Sequence, residues 1–136
     1  MTTRITNAVN LKSVAATLHD ARFTADAIKF DAATHTFDLK CWVLEPKPKA
    51  DAAARRWQAC RLSFANVVDC KVNAKDKVRY YELATIRFSE RDRKLDLVTH
   101  YAIEISLAVG ELDGTLTETS ETRDKWDAPV KHLSTA

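Results

Sequence analysis

The sequence predicts a mainly β domain: a strongly curved antiparallel sheet, a meander or open barrel, with one short N-terminal helix. Three observations carry this prediction. A single apolar stripe at helical spacing sits near the start. After about position 20 the hydrophobic rhythm falls to a period of two and stays there. The longest alternating stretches are too long to lie straight in a chain of 136 residues, so the sheet must twist and coil or its strands must break. A two-layer β-sandwich is the alternative. A doubly wound α/β fold does not fit, because helices do not alternate with the strands.

The helix is read over residues 10–19. Asn10 suits the N-cap, since its side-chain oxygen can accept from an early backbone N–H. Leu11, Val14, Ala15 and Leu18 then fall on one face. A helix this short is stable only when that stripe is docked. Residues 23–31 form the first strand, with Ile28 and Phe30 on one side. "DAATH" is a turn, and 36–44 is the second strand. Phe37, Leu39, Cys41 and Val43 share its apolar face, and Asp38, Lys40, Trp42 and Leu44 share the other.

"EPKPKADAAARR" reads as a surface loop, from its prolines and charges. Alternation resumes at Arg56, with Gln58, Cys60, Leu62, Phe64, Val68, Cys70 and Val72 in phase. This is one bent strand, or two strands divided at Ala65-Asn66. Residues 79–88 place Ala84, Ile86 and Phe88 on one face. From Leu95 to Val109 every odd position is apolar or threonine. A straight strand of that length would reach about 50 Å, so it bends or breaks near Thr99-His100. Asp113-Gly114 suits a hairpin turn, since both residues tolerate positive φ. Residues 115–121 read as a polar edge strand. The domain is therefore 1–121. Residues 122–136 form a C-terminal tail in which Trp126, Val130 and Leu133 could dock.

Composition narrows the function classes. The longest unbroken apolar run is Cys41-Trp42-Val43-Leu44, and a membrane-spanning helix needs about 20 such residues. No membrane association is expected. The first residues lack the apolar core of a secretory signal, which points to the cytoplasm. Three cysteines without a CxxC pair read as free thiols rather than a disulfide framework. The net charge of +2 is unevenly spread: residues 40–94 carry a local +7 and residues 95–136 a local −5. Such halves can pair with each other or attract a charged partner.

The candidate chemistry is sparse. His19-Asp20 could be a general base steered by a carboxylate. The simpler reading is a histidine at a helix C-terminus and a turn aspartate bonding backbone N–H groups. Cys41, Cys60 and Cys70 lie on apolar parity and read as buried thiols. His35, His100 and His132 are scattered. Gly110 and Gly114 are the only glycines, so no phosphate loop or nucleophile elbow is present. Catalytic residues, cofactors and metal ligands are all expected to be none.

The outward parity is richer: Lys40, Trp42, Trp57, Arg61, Lys71, Tyr81, Leu83 and Arg87. Basic residues between aromatics can bind single-stranded nucleic acid, but no RNP-like motif accompanies them, and nucleic acid is not the expected partner. The simpler reading has Trp42, Trp57 and Leu83 under the helix or a dimer contact, with the charged tips reaching water. A sheet lined by Phe30, Phe37, Leu62, Phe64, Ile86, Phe88 and Ile103 could also enclose an apolar ligand.

"LHDA" before an alternating strand, "FDAATHTFDL", "FANV" and a late "LDG" together give a pattern over residues 15–115. It resembles small, mostly uncharacterised bacterial domains that open with a Leu-His-Asp element and continue as a β-meander, some classed as immunity-like proteins that neutralise a toxin. The resemblance implies a bacterial origin and a protein-binding role, and it supplies no catalytic residues. The expectation is a non-enzymatic protein–protein interaction module, with a homodimer possible. A binder of small apolar ligands is the alternative.

Overall fold

A computed structural model describes residues 2–45 and 56–123. Ten strands and one helix are built from them: β1 Thr2–Ile5, α1 Ala8–Thr17, β2 Arg22–Phe23, β3 Ile28–Asp31, β4 Thr36–Leu44, β5 Trp57–Phe64, β6 Val67–Ala74, β7 Tyr81–Ser89, β8 Lys94–Thr99, β9 Ile103–Val109 and β10 Gly114–Arg123. They form one antiparallel sheet that is not closed into a barrel. Its order is β1-β10-β5-β4-β2-β7-β8-β9-β6, with β3 added on β4.

The helix starts three residues earlier than its stripe suggests. Asn7, not Asn10, is the N-cap, and its Oδ1 accepts from the Asn10 N–H at 2.9 Å. Asn10 reaches back instead, accepting from the Thr6 N–H at 3.3 Å. The stripe itself is as expected: Leu11, Val14, Ala15 and Leu18 are buried. Burying a Leu or Val side chain stabilises by roughly 1.5–3 kcal/mol, which outweighs the weak intrinsic stability of three helical turns. The helix packs on both β1 and β7. Those strands stand five places apart in the sheet, and a helix is only about 10 Å across, so the sheet must coil around it.

Two chain breaks produce the coil. β5 and β6 belong to different parts of the sheet, and the chain crosses between them at Asn66, whose φ is 59°. The stretch Leu95–Val109 is likewise two strands, β8 and β9, folded on each other around residues 100–102. Bulges complete the curvature. One lies between Leu83 and Thr85 in β7 and another between Val67 and Asp69 in β6. Each shifts the side-chain alternation by one position.

The bulges explain the main departures from the expected faces. Tyr81 and Leu83 point into the core before the β7 bulge, while Ile86 and Phe88 point inward after it. Val68 sits at the β6 bulge and is exposed, while Val67 takes the buried position. The expected strand over 23–31 is β2, a 3-10 turn at Ala25–Ala27, and β3.

Gly114 has no positive φ and opens β10 rather than turning a hairpin. β10 is not an edge: β1 and β5 flank it, and it runs on through Thr122 and Arg123. Of the expected surface loop "EPKPKADAAARR", residues 46–55 lie outside the described residues, as do residues 124–136 of the expected tail. The interior is filled by a single cluster that includes Ile5, Leu18, Phe23, Phe37, Phe64 and Leu97. No helix among the described residues is long and apolar enough to cross a membrane.

Candidate functional site

Three places on this scaffold carry polar chemistry or open surface. The first is the end of α1. After Leu18 caps the helix, Asp20 takes a left-handed conformation with φ 67°, which a short polar side chain tolerates. That residue turns the chain toward β7 and lets two sequence neighbours face one another. His19 Nε2 lies 3.6 Å from Asp20 Oδ1. His100, from the β8–β9 turn, brings its Nε2 to 2.7 Å from the same oxygen. The two imidazoles meet edge to face, 5.7 Å between centroids.

Three successive carbonyls of β7 set this geometry. Glu82 accepts the His100 backbone N–H at 3.0 Å, and Leu83 accepts the Asp20 N–H at 2.8 Å. Ala84, at the bulge, bonds His19 Nδ1 at 2.9 Å. The sequence marked His19 and Asp20 but read His100 as scattered. Only the fold of β8 onto β7 brings it in, and no local spacing announces that.

The second place is the outward face of β4 and β5. Lys40 pairs in register with Arg61, Trp42 with Ala59, and Leu44 with Trp57. Lys40, Trp42, Trp57 and Arg61 therefore do share a face. It is the face opposite the helix, because Phe37, Leu39 and Cys41 occupy the helix side.

Trp42 and Trp57 are covered by cations instead. The Arg22 guanidinium lies 4.7 Å from the Trp57 ring centre and 4.4 Å from that of Tyr80. Lys40 and Arg123 lie 5.1 and 5.0 Å from the Trp42 ring. Two of these cations also meet carboxylates, Lys40 with Glu121 at 2.5 Å and Arg22 with Glu82 at 3.3 Å, and Arg61 pairs with Asp38 at 3.4 Å. This is a cross-braced surface in which charge is balanced locally.

The remaining members of the expected interaction face are elsewhere. Tyr81 is buried against Phe23, and its hydroxyl donates to the Asp76 carbonyl. Arg87 pairs with Asp96 on β8, and Lys71 with Ser106 on β9, in the other part of the sheet. Of the cysteines, Cys41 and Cys60 are cross-strand partners and buried. Burial, with the neighbouring Cys60 adding to it, pushes the Cys41 thiol far above its ordinary range. Burial and then Glu118 push Cys60 up to about 11.

The third place is the β6 edge. Among the described residues β6 pairs with β9 on one side only. Val68 and Val72 are 64% and 44% exposed there, and Cys70 is half-buried. Natural sheets protect long edges of this kind or use them.

No protein-family model, curated protein or solved structure matches the chain.

Proposed function

We propose that the chain is a non-enzymatic protein–protein interaction module that binds by adding a strand to the edge of β6. The carrying observation is that edge: beyond Val67, whose N–H is taken by the His35 carbonyl, residues 68–74 have no strand partner on their outer side among the described residues and bear exposed valines. Main-chain hydrogen bonds supply affinity in such pairing, and side chains supply register.

The sequence of the edge favours a second copy of the chain as the strand. Val68-Asp69-Cys70-Lys71-Val72 is complementary to itself when run antiparallel about Cys70. Asp69 then faces Lys71 of the second copy, twice by symmetry, and both valines come to the seam. Opposite charges directly across a strand pair stabilise it, and like charges oppose it. The two-fold arrangement is the commonest symmetry of small assemblies. The bacterial immunity-like resemblance also points to a protein partner rather than a substrate.

Two observations weigh on the other readings. The interior is packed with its own side chains, which leaves an apolar ligand open surface grooves among the described residues, such as the half-open one of about 430 Å³ between α1 and β4, β5 and β10, rather than an enclosed cavity. The cations of the β4–β5 face are engaged with carboxylates and rings, which disfavours a phosphate backbone as the ligand.

Light scattering across a concentration series tests the proposal. The wild type is expected to form dimers, Asp69→Lys to be monomeric, and Asp69→Lys with Lys71→Asp to recover the dimer. A wild type that stays monomeric at high concentration, or a dimer indifferent to both changes, would overturn it.

A further inference from the structure

We propose that His19, Asp20 and His100 form a site for a divalent first-row transition-metal cation of the zinc class. Their ligand atoms lie within 4.8 Å of one another. Metal–ligand bonds of about 2.0–2.2 Å in tetrahedral geometry place neighbouring ligand atoms about 3.3 Å apart. Asp20 Oδ1 stands 3.6 and 2.7 Å from the two imidazole nitrogens, one longer and one shorter than that spacing, so small side-chain rotations bring the three atoms onto one cation.

The orientation of His19 is the second support. A metal-bound histidine characteristically gives its other ring N–H to a carbonyl or carboxylate, which fixes the ring and its tautomer. His19 Nδ1 has the Ala84 carbonyl at 2.9 Å. Donation there leaves the Nε2 lone pair directed toward Asp20. His100 needs its proton on Nδ1 for its Nε2 to bind as well. The cation then takes the place of the hydrogen bond between His100 and Asp20.

The ligands share one backbone support. Glu82, Leu83 and Ala84 each hold one ligand residue through a carbonyl, so all three are anchored to one short segment of β7. The ligands come from the end of α1 and from the β8–β9 turn, so a bound cation would clip both to that segment.

The donor set selects the cation. Two imidazoles and one carboxylate suit zinc, cobalt, nickel or iron(II); calcium and magnesium prefer all-oxygen sets. The side chains of His19, Asp20 and His100 are 57, 62 and 37% exposed, so a cation can reach them and would keep coordination positions open. His19 also lines an open cleft of about 560 Å³ between α1 and β7, which leaves room for an exchangeable ligand.

Zinc titration against a chromophoric chelator tests this, with cobalt(II) absorption reporting the ligand type. The wild type should bind one equivalent, with no thiolate charge-transfer band in the cobalt form. His100→Gln and Asp20→Asn should each weaken binding at least about tenfold, while Cys70→Ser leaves it unchanged. Zinc should also shift the His19 and His100 ring resonances and spare those of His35, a readout that does not depend on any variant folding. Absence of binding in the wild type, unchanged binding in His100→Gln, or loss in Cys70→Ser would each overturn the assignment.

Discussion

His100 Nε2 lies 2.7 Å from Asp20 Oδ1, a contact across 80 positions of sequence. Asp20 is held for two separable reasons: its side chain meets His100, and its backbone is left-handed with φ 67°. Asp20→Ala removes the contact and leaves in that conformation a residue without the short polar side chain that tolerates it, so it should destabilise by about 1–2 kcal/mol. Asp20→Gly keeps the conformation and should cost no more than about 1 kcal/mol, the usual worth of an exposed ion pair. Urea unfolding of both variants reads the difference, and equal losses would contradict it.

Gly114 has a different constraint. A Cβ there would fall 2.6 Å from Phe64 Cδ1 and 2.7 Å from the Ser63 carbonyl oxygen. The ring is in the core and the carbonyl is backbone, so neither yields easily. Gly114→Ala should destabilise by about 1–3 kcal/mol through overpacking, measured by thermal unfolding. Gly110→Ala meets Asn66 at an ordinary 3.9 Å and should cost much less.

Asn66 carries the crossing from β5 to β6 in a left-handed conformation with φ 59°. Its carbonyl accepts the Gly110 N–H at 2.9 Å, which any residue could do. The side chain matters only through its tolerance of that φ. Asn66→Ala should cost about 1–2 kcal/mol and Asn66→Gly close to nothing by comparison. Denaturation midpoints of the pair check this.

The buried thiols make stability fall in alkali. Burial raises Cys60 from its ordinary 9.0 to about 11 and Cys41 further still. The folded chain therefore holds protons that the unfolded chain has released, and the stability gradient with pH is negative. The contribution is full below pH 9 and is lost as pH rises through 11. Stability measured between pH 9 and 11 should fall less steeply in Cys60→Ala than in the wild type. An identical slope would contradict the burial of that thiol.

Much of the architecture was legible in alternation alone. The strand over 36–44 was readable because a buried face demands every second residue, and so were the two places, Ala65-Asn66 and Thr99-His100, where the long alternating stretches had to bend or break. The faces of β6 and β7 were not, because a bulge moves the phase without leaving a local mark in composition. Tyr81 looked outward by parity and is in the core for that reason. β1 was missed since Thr2–Ile5 offers only Ile5 to the interior. Gly114 was noticed for the wrong property: close approach to Phe64, not positive φ. At the candidate site, His19 and Asp20 stood out as neighbours, whereas His100 joins them only through tertiary pairing.

Hydrogen exchange along β6 as protein concentration rises tests the central claim most directly, since a paired edge protects its own amides. Protection should increase with concentration at residues 68–73 while β10, flanked on both sides, stays unchanged. Exchange at those residues that is fast and independent of concentration would contradict strand addition at this edge.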